Sequence, residues 1–110
     1  MDTITFDDFV KVDMRVGTIT AAEALPKSKK LLKLSVSFGP EIGSRTILAG
    51  IAEAYDPLMI VGLQIVAVIN LPPRSMMGIE SNGMLLAGHT ADGKLRLVYP
   101  NDIAEGERIG

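Results

Sequence analysis

Hydrophobic and polar residues alternate in short runs along this chain of 110 residues, a pattern typical of β-strands that have one buried face. The clearest run is 31–38, which predicts a half-buried strand with a polar outer face. Its two faces are Leu32, Leu34, Val36 and Phe38 on one side and Lys33, Ser35 and Ser37 on the other. Similar runs predict a preceding strand at 14–21 and a following strand at 46–49.

A different pattern marks the middle of the chain, where the apolar residues of 63–69 fall on both faces and predict a strand buried on both sides. Pro72 and Pro73 end it, because proline has no amide N–H to continue a ladder. Gly78 and Gly83 then allow backbone angles that are closed to other residues. We therefore expect a shaped loop near a sheet edge that positions a binding surface, with a purely structural turn as the alternative. The polar residues that it would hold are Arg74, Glu80, Ser81 and Asn82.

Two short helices are predicted from capping signals. Asp56 followed by Pro57 is typical of a helix start, and the helix is expected over 57–61, before a glycine. Near the N-terminus, Thr5 is a candidate N-cap for one or two helical turns. Apolar residues follow it at helical spacing: Phe6, Phe9 and Val10.

The order of these elements indicates the fold class. Three strands, a short helix and further strands at 84–87 and 94–99 match an all-β, five-stranded OB-fold barrel whose helix lies between strands three and four. The N-terminal helix and the C-terminal strand are extensions beyond the barrel. Their apolar edges would be exposed in a monomer, so we expect a symmetric homodimer. One domain spanning 1–110 is expected from the length.

Composition argues against catalysis and against a membrane location. The chain has no cysteine, one histidine and no glycine-rich phosphate loop, so no catalytic residue, metal site or cofactor is predicted, and His89 is expected at the surface. The N-terminus lacks a signal-peptide pattern, and no apolar run is long enough to span a bilayer. These features predict a soluble cytoplasmic protein.

The net charge of −2 hides an uneven distribution. Segment 1–10 carries −3, segment 11–45 carries +4 and the remainder carries −3. The basic residues of the middle segment are Lys11, Arg15, Lys27, Lys29, Lys30, Lys33 and Arg45. A solvated face is the usual meaning of such a block. However, it lies on predicted strands and the loop that joins them, so several charges can point the same way and bind phosphates.

The few aromatic residues limit which nucleic acid would fit. There is no tryptophan, and most of the five phenylalanines and tyrosines are expected in the core. Proteins that bind single strands usually present aromatic platforms for stacked bases. A folded RNA that is contacted through its backbone fits this composition better.

Several motifs together closely resemble the tRNA-binding domain family, over nearly the whole chain from Phe6 onward. They are the segments 9–17, 30–34, 49–51, 70–74 and 78–87. The family occurs as a free-standing homodimeric tRNA-binding protein and as the C-terminal domain or separate beta subunit of methionyl-tRNA synthetases. The resemblance implies an OB-fold homodimer that recognises the shape of tRNA rather than its sequence, acting in trans to a synthetase. It implies RNA contacts at Lys30, Lys33, Asn70, Arg74, Ser81 and Met84. Lys29 is a further predicted contact because its positive charge suits a phosphate.

A sister branch of the same family, the CsaA secretion chaperones, binds unfolded polypeptide and supplies the alternative function. Segments 38–43 and 106–110 resemble the chaperone branch, whereas segments 45–51 and 80–84 resemble the tRNA branch. We give more weight to the latter because they lie on the expected binding face. Ser75 departs from the tRNA branch, which often has lysine there, and removes one potential phosphate contact.

Some candidate residues also have purely structural interpretations. Met84, together with Met76 and Met77, could pack in the core or at a dimer interface. Asn70 and Ser81 could satisfy backbone groups at strand ends. Arg15 could pair with Asp13 or with a carboxylate across the sheet.

Overall fold

The computed structural model describes all 110 residues and contains three short helices and ten strands. The helices are α1 (Phe6–Val10), α2 (Gly39–Ile42) and α3 (Pro57–Ile60). The strands are β1 (Met14–Ala24), β2 (Leu32–Ser37), β3 (Ser44–Ala49), β4 (Gln64–Val68), β5 (Arg74–Met76), β6 (Ile79–Ser81), β7 (Met84–Leu85), β8 (Ala87–His89), β9 (Leu95–Leu97) and β10 (Arg108–Ile109).

The main sheet is antiparallel, with strand order β3-β2-β1-β4-β7, and β10 also pairs with β1. The first half of β1 pairs with β4 and its second half pairs with β2, and the register shifts between Ile19 and Ala21. Such an irregularity bends a strand and increases its twist, so the sheet curls. The all-β, OB-like barrel with α3 between β3 and β4 is as predicted.

The buried side chains line the inside of this curled sheet. Along β2 burial alternates, with Leu32, Leu34 and Val36 fully buried and the residues between them partly exposed. In β4 every residue from Ile65 to Val68 is buried. Both results confirm the predicted patterns.

The two predicted helices form as expected from their caps. The Thr5 hydroxyl accepts a hydrogen bond from the Asp8 amide at 3.0 Å, and the Asp56 carboxylate accepts one from the Leu58 amide at 2.9 Å. Helix α3 ends at Ile60, one residue earlier than predicted. None of the helices has the length and apolarity required to cross a membrane.

The segment after β4 differs from the prediction of a loop, because its second part is a hairpin formed by β5 and β6. Met77 and Gly78 form the turn with φ values of 54° and 77°, as expected for a tight hairpin connection. Helix α2 and strand β10 were not predicted. The strand predicted at 84–87 is divided into β7 and β8, which belong to different sheets.

The expectation that most aromatic residues lie in the core is wrong. Phe6 is 77% exposed, Phe9 37% and Tyr99 53%, and Phe38 is the one fully buried aromatic side chain. The reason is that α1 lies outside the barrel and buries none of its residues. Nor does Met84 belong to the core, since it is 50% exposed.

Candidate nucleic-acid interface

The outer face of β1, β2 and β3 presents polar side chains around a shallow cleft of about 360 Å³. Lys33 of β2 lies between Glu23 of β1 and Leu48 of β3 in the strand register. Its ammonium group is 3.6 Å from the Glu23 carboxylate, and both side chains remain accessible to solvent. Ser35 and Thr46 are paired two positions further along the register and line the same cleft. This face offers a cation and hydroxyl groups to a ligand.

The loop that joins β1 to β2 places more positive charge at one end of this face. The Ser28 hydroxyl accepts hydrogen bonds from the amides of Lys30 and Leu31 at 3.3 and 3.1 Å. This side-chain-to-backbone turn defines the loop conformation locally. Lys29 and Lys30 are both exposed. Their ammonium groups are therefore held on an ordered loop rather than on a free tail.

The β5–β6 hairpin adjoins the same face because it is anchored on β3. The buried Ser81 hydroxyl accepts a hydrogen bond from the Leu48 amide at 3.0 Å, and the Asn82 amide donates to the Thr46 carbonyl at 2.8 Å. Arg74 is the cross-strand partner of Ser81 and is exposed. These bonds attach the hairpin to β3, which is an edge strand of the main sheet.

The hairpin tip and the β1–β2 loop bound a second cleft, of about 290 Å³. Met77 and Ile79 line it from the hairpin, and Leu25, Pro26 and Lys27 line it from the loop. OB-folds bind oligonucleotides on strands two and three, between the loop after strand one and the loop after strand four. The arrangement of strand face, loop and hairpin in this protein corresponds to that surface.

Lysine and arginine side chains without an ion-pair partner are concentrated at this surface. Of the eleven lysines and arginines, five form ion pairs within 4.0 Å: Lys11, Arg15, Lys33, Lys94 and Arg108. Six remain without a carboxylate partner, and four of these lie in the β1–β2 loop or the hairpin. The four are Lys27, Lys29, Lys30 and Arg74. We name this set of four cations together with Lys33 the cationic face.

The basic block of the sequence therefore divides into two groups. Lys11 and Arg15 lie at the opposite end of the sheet, where the guanidinium of Arg15 contacts Asp13 at 2.6 Å. The hydrogen bond to Asp13 raises the pKa of Arg15 above its ordinary value. Arg45 donates to the Ile69 carbonyl at 2.5 Å. The pairing of Arg15 with Asp13 is confirmed, and these three cations have local structural partners.

Two of the predicted RNA contacts have structural roles that are visible in the fold. The Asn70 side chain accepts a hydrogen bond from the Asp13 amide at 2.9 Å and donates to the Lys11 carbonyl at 2.5 Å, which joins the end of β4 to the start of β1. Ser81 is 4% exposed and supports Leu48. Asn70 thus fixes the point from which the hairpin segment departs, and Ser81 fixes the hairpin itself.

The structure brings most of the predicted site residues to one surface. The members are Lys29, Lys30, Lys33, Arg74, Ser81 and Met84, with Asn70 at the end of β4. Lys27, Leu48 and Leu71 also belong to this surface but were not predicted as site residues. Lys27 had a signal in the basic block. Leu48 and Leu71 lie in the family-like segments 45–51 and 70–74, but as aliphatic residues they carried no signal of their own. No group of three or more histidine, aspartate or glutamate side chains is arranged to hold a metal ion.

Comparison with known proteins connects this surface to a family. Residues 14–108 match the model of a family described as the putative tRNA binding domain. A methionine–tRNA ligase from Porphyromonas gingivalis is 45% identical over 109 residues, which are 98% of this chain and 16% of the ligase. The chain spans about one-sixth of the length of such curated relatives.

Solved structures of similar length agree with the family match. The crystal structure of a methionyl-tRNA synthetase related protein from Pyrococcus horikoshii superposes with a TM-score of 0.91 at 39% identity, covering all of both chains. The chaperone CsaA of Bacillus anthracis superposes with a TM-score of 0.88 at 35% identity, covering 99% of this chain and all of that one. On the match across 95 of its 110 residues and on this shared fold, the chain belongs to the tRNA-binding domain family.

Proposed function

We propose that this protein is a non-enzymatic OB-fold module, one domain over 1–110, that binds tRNA by its folded shape and without sequence preference. The observation that carries the proposal is the cationic face, because four of the six cations without a carboxylate partner lie together in the β1–β2 loop and the hairpin. Phosphate contacts from lysine and arginine supply affinity but no sequence information. The predicted contacts at Lys29, Lys30, Lys33, Arg74 and Met84 form part of this proposal, with Asn70 and Ser81 positioning them.

Recognition of shape rather than bases is supported by the chemistry of the surface. The clefts of the outer face are lined by aliphatic, hydroxyl and cationic groups and by the Glu23 carboxylate, and no aromatic ring lines them. Readers of extended single strands rely on rings for stacking. Hydroxyl and ammonium groups instead suit the phosphates and 2′-hydroxyls of a folded RNA.

We further propose that the protein acts as a homodimer through the apolar surface of its terminal segments. Phe6, Phe9 and Val10 of α1 are exposed and, together with Val12 and Ile109, border a hollow of about 240 Å³. Such a patch on a small protein favours association. A dimer would double the cationic face and set a fixed distance between its two copies, so that the geometry of tRNA could be discriminated.

A synthetase is the proposed partner of the tRNA-bound module. The relatives that match this chain over almost its full length are methionine–tRNA ligases, which carry the matching segment within one longer chain. We propose that this module supplies the same tRNA affinity in trans to methionyl-tRNA synthetase, in the cytoplasm. Adding the purified protein to a synthetase should lower the KM for tRNA, whereas an unchanged KM would contradict the proposal.

The proposal is tested by titrating a mixed tRNA pool against the protein at several salt concentrations. We expect micromolar or tighter binding at low salt that weakens steeply as salt is added, because counterions are released from phosphates. The Lys30→Ala, Lys33→Ala double variant should bind more weakly and with a shallower salt dependence. A Lys94→Ala variant is the control, since Lys94 is exposed, pairs with Asp92 on the β8–β9 hairpin and lines neither cleft of the outer face.

The alternative function, binding of unfolded polypeptide, is favoured by the likeness to CsaA and is decided by the same experiment. Absence of tRNA binding at low salt, together with salt-insensitive binding of an apolar unfolded polypeptide, would replace the proposal with this chaperone function. Binding of both ligands at the same surface would be revealed by competition between them.

A further inference from the structure

A fourth hollow, of about 350 Å³, lies between the hairpin and the start of β7, next to the cationic face. We name it the hairpin cavity. Its lining includes Leu48, Leu71, Pro72, Arg74, Met76 and Met84. Its volume lies at the small end of the range for small-molecule sites, which is about 300–1,000 Å³. The cavity is therefore large enough for one planar group but not for an RNA helix.

The walls of the cavity are apolar and the rim is positive. Leu48 is 7% exposed and supplies an aliphatic surface, while Leu71, two proline rings and two methionines supply the other apolar contacts. Arg74 is the charged residue in the lining, and no carboxylate lines the cavity. Lys33 is the cross-strand partner of Leu48 and so stands beside the cavity.

The hairpin also keeps its own acidic residue away from the cavity. Side chains of a strand alternate between its faces, so Arg74, Met76 and Ser81 share one face and Ser75 and Glu80 share the other. The lining accordingly includes Arg74, Met76 and Ser81, whereas Ser75 and Glu80 are absent from it. The cavity face of the hairpin carries +1, which suits a group attached to a phosphate backbone.

One buried polar group distinguishes the cavity from a plain apolar groove. The Ser81 side chain is more than nine-tenths buried and lines the cavity. Its oxygen accepts from the Leu48 amide, but its hydroxyl hydrogen has no acceptor among the protein's hydrogen bonds. A nucleobase edge provides carbonyl and ring-nitrogen acceptors for such a donor.

We infer that the hairpin cavity receives a single unstacked nucleobase of the bound RNA, while the cationic face holds the adjoining phosphates. RNA-binding proteins stack splayed-out bases on aromatic rings or on arginine guanidinium planes, and enzymes that flip bases also hold them between apolar side chains. The cavity offers the second and third of these through Arg74, Leu48 and Met84. This inference rests on the proposed tRNA-binding function and extends it. A base in this cavity would fix where the folded tRNA sits without requiring a particular sequence, because every base has a flat face.

Methionine methyl groups provide a direct test, since Met76 and Met84 line the cavity, whereas Met59 of α3 is 75% exposed and does not line it. With ¹³C-methyl methionine in the full chain, a tRNA pool should shift the Met76 and Met84 methyl resonances upfield by ring current and leave Met59 in place. Nucleoside monophosphates at high concentration should shift the same two signals, and ribose 5-phosphate should not.

A pair of variants gives an independent readout. Met84→Ala should weaken tRNA binding about three- to tenfold while leaving the dependence of affinity on salt unchanged, because no charge is removed. Lys33→Ala should instead reduce the salt slope. Met59→Ala is the matched control and should change neither quantity.

The possible failures are distinguishable. Salt-dependent tRNA binding with unmoved Met76 and Met84 signals would overturn the base cavity and leave the proposed function intact. Absence of tRNA binding at low salt would overturn both. Shifts of these signals by an apolar peptide but not by nucleotides would assign the cavity to polypeptide and also overturn the inference.

Discussion

At the scale of single residues, the binding surface is held by side chains whose hydrogen bonds are directed inward. Ser81 supports the Leu48 amide, and Asn70 bridges the backbone at Lys11 and Asp13. An exposed cation such as Arg74 depends on these contacts for its position. A residue can thus be important for RNA binding without touching RNA.

Replacing Ser81 by alanine should destabilise the protein by about 1–3 kcal/mol, because the Leu48 amide would lose its partner in a buried position. Urea unfolding measures this change. The control is Ser75→Ala on the exposed face of the same hairpin, which should stay within about 0.5 kcal/mol of the parent. If Ser81→Ala kept full stability, the hydrogen bond from the Leu48 amide would not support the hairpin, and this would contradict the structural role of Ser81.

At the scale of elements, the C-terminal segment is attached to the barrel by a cluster of hydrogen bonds around Glu105. Its carboxylate accepts hydrogen bonds from the Ser37 hydroxyl, from the Thr18 hydroxyl at 3.2 Å and from the Gly39 amide at 3.1 Å. The adjacent Gly106 amide donates to the Val16 carbonyl at 2.8 Å. The segment thereby ties α2 to β1.

These hydrogen bonds, that from Ser37 first, lower the pKa of Glu105 below its ordinary value of 4.5. A carboxylate whose pKa is lower in the folded state stabilises the fold above its unfolded pKa, and this stabilisation is lost as the pH falls through the folded value. We therefore predict that the free energy of unfolding decreases below about pH 4.5. The Glu105→Gln variant should be less stable at pH 7, and its free energy of unfolding should depend less on pH in the acid range. Unfolding measured at pH 7, 4 and 3 tests this. Equal acid profiles for the two proteins would contradict it.

How much of this could be predicted from sequence differs between elements. The strand faces of β2 and β4 and the caps Thr5 and Asp56 could be predicted because local spacing and capping chemistry determine them. The β5–β6 hairpin could not, since its anchor on β3 is a contact between segments distant in the chain. The same holds for the cationic face, because ion pairing depends on which carboxylates the fold brings near each lysine.

At the scale of the whole molecule, the two ends of the protein have different surfaces. The cationic face lies beside the hairpin, and the exposed apolar residues of α1 lie with β10 at the terminal segments. Segregation of this kind allows two copies to associate through one surface while both cationic faces stay accessible. Net charge alone, at −2, would hide this division.

The proposed dimer predicts that a charge placed on α1 will separate the copies. Phe6 is 77% exposed in the single chain, so Phe6→Asp should leave the fold intact and convert the dimer to monomer in sedimentation velocity. Affinity for tRNA should fall at the same time because half of the cationic surface is lost. The control is Leu58→Asp, which places the same charge on an exposed residue of α3. A Phe6→Asp monomer that bound tRNA as tightly as the parent would contradict the role of the dimer.

The central claim, that tRNA binds at the cationic face, is tested most directly by two matched charge reversals. The first double variant is Lys30→Glu with Arg74→Glu, and the second is Lys94→Glu with Arg96→Glu. Both change the net charge equally, but Lys94 lies in the β8–β9 turn and Arg96 lies on β9. Measured against one tRNA pool at one salt concentration, the first variant should lose at least tenfold in affinity and the second should remain within about threefold of the parent. Equal losses in both variants would show that tRNA responds to overall charge and not to this surface, which would contradict the claim.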